Sequence, residues 1–357
     1  MMGPALLCAL GLPAGFLLIW RIPRCHSTRS HPAITLSIII PARNEEHNLP
    51  RLLHSIAALR PRPTETLVVD DGSTDNTKTV AQSLGAHVVT SAPLPSGWTG
   101  KCWACHQGAQ HAIGDLLLFL DADTFFVPGG LERMIGQWLR EQDPRFVLSV
   151  LPYHAMAAGY EHISLIFNLL MAAGAGGFGV SAQPHLCGQS LLIGREAYFA
   201  AGAHYAVRGA VLENLRFASV LRGSGARTRC CGGRGTLHMR MFPDGFRQMS
   251  DSWGKAFVQG AAASSGIVLA ASVLWISALW TAALLLVVPP DYGRPAIAVV
   301  FLLLGSQVAW AARQLGNYPV VICLLYPVPL AYYCLVFGRA LIRRALGRKA
   351  TWRGREV

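Results

Sequence analysis

The chain has 357 residues, of which 52% are apolar and 14% charged, with a net charge of +12 and a positive mean hydropathy. That balance is too apolar for an ordinary soluble enzyme. It leaves room for one globular domain of more than about 200 residues plus membrane segments. The positive charge comes mainly from arginine, which calls for anionic neighbours. The basic residues do not interleave with aromatics as in nucleic-acid binders, so lipid headgroups and phosphorylated substrates are the expected partners and nucleic acid is not. Nine cysteines are scattered, several of them (Cys8, Cys323, Cys334) in apolar runs, and read as small hydrophobes in a reducing compartment. Cys102 and Cys105 form a CxxC, but adjacent Cys230 and Cys231 are a poor second pair for zinc.

Ala5 to Trp20 is apolar and is followed by Arg21, Arg24 and Arg29. The charges follow the apolar run and no small-residue cleavage site appears. A short membrane anchor, with the next residues on the cytoplasmic side, is expected rather than a signal peptide. Thr35 to Ile40 is a β-branched run that Pro41 should stop. A helical pattern follows through Leu49, Leu52, Leu53, Ile56 and Leu59. Thr66 to Val69 predicts a second strand, ending in Asp70-Asp71-Gly72-Ser73-Thr74-Asp75. Gly72 permits a tight turn there, and Ser73, Thr74 or Asp75 can cap the next helix. His87 to Thr90 predicts a third strand, Lys101 to Ala112 a helix, and Leu116 to Leu120 a strand buried on both faces. Strand and helix alternating at this spacing predict an α/β fold with a doubly wound, mostly parallel sheet whose strand ends share one edge.

The buried run ends in Asp121-Ala122-Asp123. On a regular strand, residues i and i+2 point to one side, so both carboxylates can converge past the carboxyl edge, where open sheets bind ligands. Two hard oxygen ligands suit Mg²⁺ or Mn²⁺ shared with substrate phosphates. The plainer alternative is a helix N-cap ahead of Thr124 and Pro128.

Taken together, Ser37-Ile-Ile-Ile-Pro41-Ala-Arg43-Asn-Glu45-Glu, Val-Val-Asp70-Asp71-Gly-Ser-Thr-Asp75, Gly100-Lys101 and Asp121-Ala-Asp123 resemble the family 2 glycosyltransferases of GT-A fold. The segment Pro95-Ser-Gly97-Trp98-Thr-Gly100-Lys101-Cys-Trp103-Ala104 is similar to the membrane-attached branch that glycosylates carotenoid acids and other isoprenoid lipids. The resemblance covers about residues 35 to 260. It implies a multi-pass enzyme of the inner membrane, its catalytic domain cytoplasmic. A hexosyl group would pass from a nucleotide sugar, a UDP-sugar by expectation, to a lipid acceptor in the bilayer with inversion. By the same resemblance Pro41, Arg43 and Glu45 line the nucleotide pocket, Asp71 meets the base, Asp70 lies near the ribose and Lys101 lies beside the nucleotide. Asp121 and Asp123 are the DxD pair, with Asp123 the usual ligand of Mg²⁺ or Mn²⁺. A divalent cation there would neutralise the departing diphosphate.

The chain departs from that pattern at the general base. Relatives carry a Glu-Asp pair whose second carboxylate takes the acceptor proton; here the pair is Glu213-Asn214, and an amide cannot accept a proton near neutral pH. Three readings stay open: Glu213 is the base, the chain is a non-catalytic nucleotide-sugar-binding protein or scaffold of an envelope pathway, or the acceptor is a carboxylate already ionised at pH 7. A purely structural Glu213 would pair with Arg216 three residues on.

Tyr160 to Gly179 reads as a core helix plus a loop near the membrane, and Gly188 to Arg195 as a further strand on the acceptor side. Phe242 to Gly260 predicts an amphipathic interfacial helix, with Trp253 at headgroup level. No QxxRW motif is found near it, which argues against processive polymer synthesis. Three apolar segments close the chain, Ser265 to Val288, Ala296 to Ala311 and Val320 to Phe337. Three spans would put the arginine-rich tail outside, against the positive-inside tendency, and Pro327 and Pro329 make the last segment the candidate for a re-entrant one. The expected domains are thus an anchor and basic linker (1–30), the GT-A domain (31–241), the interfacial helix (242–263), two to three membrane segments (264–338) and a basic cytoplasmic tail (339–357). Too few apolar segments, without intramembrane charges, argue against a transporter.

Overall fold

A computed structural model describes residues 2–28, 34–175, 178–179, 186–210, 213–253, 265–288, 293–346, 351–352 and 355–356. Contacts divide the chain into an α/β unit, formed by the described residues of Pro23–Tyr153 and Pro184–Met239, and a helical unit drawn from Met1–Ile22, His154–Gln183 and Arg240–Val357.

The α/β unit is built on β1 (Leu36–Ala42), β2 (Glu65–Asp70), β3 (His87–Thr90), β4 (Leu116–Leu120), β6 (Val147–Leu151), β8 (Ser190–Gly194) and β9 (Thr228–Gly232). They form one sheet in the order β3-β2-β1-β4-β8-β6-β9. The strands from β3 to β4 are parallel, β8 is antiparallel to both neighbours, and β6 and β9 are parallel. The sheet is the expected mostly parallel one. Its central strands read as unbroken apolar runs because both faces are covered: β4 is buried at every position. Helices α2 (Leu49–Ala57), α3 (Thr77–Ser83), α4 (Gly100–His111), α5 (Gly130–Arg140), α7 (Arg195–Ala200) and α8 (Glu213–Gly223) complete the layers. Two cores result. Ile38, Ile40, Val68, Leu118 and Leu120 pack with α2 and α5 on one face. Ile39, Leu67, Val69, Leu117 and Phe119 pack with α4 and α8 on the other. The alternation along β1 is the period of two expected of a strand.

Two local expectations fail. Strand β1 runs through Pro41, which pairs with Val69. Pairing with β4 ends at Ile39, so proline's missing donor falls where β1 has a partner on one side only. The N-cap alternative for Asp121 and Asp123 also falls. Thr124–Phe126 forms a short strand, β5, paired antiparallel with β10 (Leu237–Met239), Tyr153–His154 forms the two-residue β7, and α5 starts later than the expected cap, at Gly130 behind left-handed Gly129.

In the helical unit α1 (Met2–Leu18) packs along α9 (Gly266–Val287). A Cβ at Gly11 would run into Ala278, and one at Gly15 into Gln307 and the Trp275 indole. The small residues let two backbones approach closely, the usual device of apolar helices. Gln307 of α10 (Arg294–Leu315) is buried, donates to Leu12 O at 2.6 Å and accepts from Trp275 Nε1 at 2.9 Å, tying three helices together. α9 and α10, each of 22 residues, are the two helices long and apolar enough to cross a membrane among the described residues. The third apolar segment breaks into α11 (Val320–Leu324) and α12 (Pro327–Ala345), because proline supplies no donor to continue a helix from the preceding turn.

Helix α6 (Leu165–Ala175) realises the expected core helix, and it belongs to the helical unit. Of the predicted interfacial helix, residues 246–253 are helical, and 254–264 lie outside the described residues. Trp253 is buried rather than presented at headgroup level: it stacks on Phe167 at 5.0 Å and meets Phe242 edge-on. Its large apolar surface gains more from aromatic packing than from a half-wet position.

Candidate active site

The carboxyl edge of the sheet gathers four loops of the α/β unit. The first two are stitched together mostly by neutral groups. Asn44, at φ 55°, sits in the left-handed region that asparagine tolerates better than most side chains. Its Oδ1 accepts from Thr74 N at 2.8 Å, and its own N–H donates to Ser73 Oγ at 3.0 Å. Glu45 N donates to Thr77 Oγ1, and Glu46 N to Asp75 Oδ2. The N-cap of α3 is Asn76, not one of the three expected residues, and it makes no side-chain capping bond; Asp75 just before it accepts from Thr77 N and Oγ1. Partial burial works against its charge, but these hydrogen bonds from Thr77 and Glu46 outweigh it and hold the carboxyl below the usual range.

Within this frame lie the residues expected to meet a nucleotide. Asp70 and Asp71 are both buried. Asp70 Oδ1 accepts from Ser73 N at 3.1 Å, and Asp71 N donates to Ala42 O at 2.9 Å. Arg43 lies over Asp71, its Nη1 3.5 Å from the carbonyl and 3.9 Å from Oδ2. Pro41 borders the cleft that also holds Lys101, Asp121 and Glu213.

The second pair of loops is held by charge. Lys101 stands in the first turn of α4, whose N-cap Thr99 accepts from Cys102 N. Its Nζ lies 2.7 Å from Asp121 Oδ1, 3.3 Å from Glu213 Oε1 and 2.9 Å from Gly188 O. Burial opposes its charge, but the two carboxylates prevail and hold its pKa well above the ordinary lysine value. Glu213 therefore pairs with Lys101 and not with exposed Arg216, three residues on. Asn214, which stands in place of the expected second carboxylate, donates from Nδ2 to Leu186 O at 2.6 Å, so it braces the segment ahead of β8.

Asp123 is placed differently. β4 ends at Leu120, and the chain turns: Thr124 donates to Asp121 O through both N–H and Oγ1. Asp123 Oδ1 is shielded from solvent and has no hydrogen-bond partner. Burial, together with the negative charges of Asp121 and Glu45, pushes its pKa up to about 7. An orphaned carboxylate oxygen facing two like charges is what a divalent cation would relieve. Among the described residues no group of three or more His, Cys, Asp or Glu is arranged to hold a metal. A site of one or two carboxylates completed by substrate phosphates, the habit of Mg²⁺, needs none. The residues present fit that kind of ion.

Sequence reasoning did not single out Asn44, Thr77, the Gly188 carbonyl or His204. The Asn44 signal was available, a short polar residue at a strand end, where left-handed turns occur. His204 gave none. It is buried at the cleft between Phe119 and Phe217, its Nδ1 2.7 Å from Tyr198 Oη. Burial, with a further push from the Lys101 charge, lowers its pKa to about 3 and keeps it neutral. The cysteines behave as small hydrophobes. Cys102 and Cys105 are buried and free, and burial raises both thiols.

A model of glycosyl transferase family 2 matches residues 37–184. Over 336 residues the chain is 31% identical to the 4,4'-diaponeurosporenoate glycosyltransferase of Staphylococcus aureus strain MRSA252, covering 92% of this chain and 88% of that protein. The same enzyme of strain USA300 is 30% identical over the same shares. Among solved structures, the mannosyltransferase PcManGT from Pyrobaculum calidifontis, in complex with GDP-Man and Mn²⁺, matches with a TM-score of 0.58. It covers 97% of this chain and 99% of that one at 17% identity, a likeness of fold.

Proposed function

Because this chain belongs to the family 2 glycosyltransferases, we propose that it moves one sugar from a nucleotide sugar to a lipophilic acceptor at a membrane. The orphaned, like-charged Asp123 carboxylate at the carboxyl edge of the sheet carries this reading. A cation bound there would act as a Lewis acid on the departing diphosphate. Asp70, Asp71 and Arg43 hold the nucleoside end, and Asp123, helped by Asp121, holds the metal. Glu213 is the group placed to take the acceptor proton, since Asn214 is an amide engaged with Leu186. Support for a nucleotide sugar and a metal includes the fold shared with PcManGT, solved with GDP-Man and Mn²⁺. Support for a carotenoid or other isoprenoid acceptor is the similarity to a diaponeurosporenoate glycosyltransferase.

α1, α9 and α10 anchor the enzyme. With α1 crossing once and the last two helices crossing as a pair, the α/β unit and the arginine-rich tail share the cytoplasmic side. That meets the positive-inside tendency a third C-terminal span would violate.

The test is transfer by membranes holding this protein, supplied with UDP-glucose or GDP-mannose and Mg²⁺ or Mn²⁺, with lipid acids or lipid alcohols as acceptors. Transfer to an alcohol that disappears in Glu213→Gln makes Glu213 the base. Transfer to an acid that survives Glu213→Gln removes the need for one. Donor binding without transfer to either acceptor class would overturn the reading.

A further inference from the structure

α12 changes character along its length. In its first half Leu330, Tyr332 and Tyr333 are buried in the helical unit. The Tyr333 ring meets Phe167 edge-on at 4.9 Å, Tyr332 Oη lies 2.9 Å from Ser250 Oγ, and Cys334 Sγ accepts from Trp280 Nε1 of α9 at 3.3 Å. Beyond Cys334 one face is bare. Leu335, Ile342 and Leu346, which continues the last turn, are 73%, 63% and 67% exposed, and exposed Arg339 and Arg343 lie between them. Spacings of three and four residues bring these side chains into one stripe. With Gly338 they line a shallow groove of about 540 Å³.

Three features of the stripe point to one partner. Its leucines and isoleucine oppose immersion in water, and its arginines oppose immersion in hydrocarbon. Both are satisfied where acyl chains meet headgroups, with the arginine stems along the apolar layer and the guanidiniums raised out of it. The second feature is unmatched charge. Neither Arg339 nor Arg343 has an ion-pair or hydrogen-bond partner among the described residues, and α12 contains no Asp or Glu. Two such guanidiniums one helical turn apart suit a single phosphate group. Gly338 is the third feature. A glycine inside a helix costs stability, and no neighbour demands it here, since a Cβ would meet nothing within 4 Å. Its missing side chain deepens the groove between Leu335 and Ile342.

We propose that this face of α12 is a docking site for an anionic phospholipid, its phosphate clamped by Arg339 and Arg343 and one acyl chain lying along Leu335, Gly338, Ile342 and Leu346. The site requires only that the helical unit sits in a bilayer, and it is independent of the reaction that the α/β unit performs.

The test places the full-length protein in nanodiscs of phosphatidylcholine, with or without phosphatidylglycerol, and follows amide hydrogen exchange over residues 335–346. Two arginines closing on one headgroup should slow exchange about tenfold or more when phosphatidylglycerol is present. Arg339→Gln combined with Arg343→Gln should abolish that difference. Gly338→Leu, which fills the groove and keeps the charge, should shrink it about threefold or more, and because leucine favours a helix more than glycine does, lost helix cannot explain the change. Arg348→Gln combined with Lys349→Gln removes the same charge outside the groove and should alter the difference by less than about twofold. Protection lost equally in both double variants would mean a diffuse surface attraction and overturn the clamp. Equal protection in the two kinds of disc would overturn it as well, since apolar burial alone would then suffice. Protection by inorganic phosphate in phosphatidylcholine discs would make the site one for free anions. Protection that grows with the number of protein copies per disc would make it a self-association face. Either of these results would overturn the proposal, and none of the readouts depends on sugar transfer.

Discussion

The α/β unit and the helical unit treat buried polar groups in opposite ways. At the sheet edge eight carboxylates, one lysine and one arginine crowd into four loops, and one oxygen, Asp123 Oδ1, is left without a partner. Where α1, α9 and α10 meet, a single neutral side chain, Gln307, is satisfied from both sides, and glycines let the helices close around it. The first arrangement stores unfavourable charge for a ligand to relieve, and the second uses polarity only to fix a register. Substitutions in the two regions should therefore separate activity from stability.

The sharpest test is Asp123→Asn. Transfer should fall by about a hundredfold or more with loss of metal-dependent charge stabilisation, while the melting temperature at pH 8 should rise. The sign follows from linkage: the folded pKa of about 7 lies above the unfolded value near 4, so the unfolded chain releases its proton first. Ionisation thus removes stability between about pH 4 and 7, and above pH 7 the full penalty is present until the amide abolishes it. A melting temperature that falls in Asp123→Asn would break the contrast.

Gly15→Leu should do the reverse. The new side chain meets Gln307 and Trp275, and such overpacking costs about 1–3 kcal/mol. In detergent the melting temperature should drop by several degrees, with the rate per folded molecule unchanged. Equal losses of rate and stability would mean the two regions are not separable.

Metal binding offers a finer test. A cation needs the Asp123 carboxylate ionised, so apparent Mn²⁺ affinity should climb about tenfold per pH unit below pH 7 and level off above it. A flat profile from pH 5.5 to 8 would remove Asp123 from the metal site. The smallest effect is expected of Cys102→Ala with Cys105→Ala. Both thiols are buried, Cys105 at the wall of the cleft, and behave as small apolar groups, so the rate should stay within about threefold, and a collapse would reinstate the CxxC as functional.

Much of this was legible in the chain itself. β4 falls where its apolar run places it, because residues buried on both faces leave an unmistakable signature, and the edge strand β3 also falls at His87–Thr90 as predicted. The four strand-end motifs do come to one edge, since parallel strands joined by right-handed crossovers leave their carboxyl ends no other place. Local patterns misled where a partner strand decided. Pro41 ends no strand because β4 has already stopped pairing there, and Asp123 caps no helix because β10 captures Thr124–Phe126. Trp253 had an amphipathic pattern around it, but Phe167, 86 positions earlier in the chain, took it into the interior.

The sequence by itself determined the α/β class, the family and the list of candidate residues, because hydrophobic period and motif chemistry are local properties. Only the tertiary structure decided which of those residues share a proton or a charge. Lys101, Asp121 and Glu213 are brought together by the order of β4 and β8 and by the start of α8, and Asp123 is set apart by a turn of two residues. Electrostatic partnership falls off over a few ångströms, and sequence spacing carries no such distances.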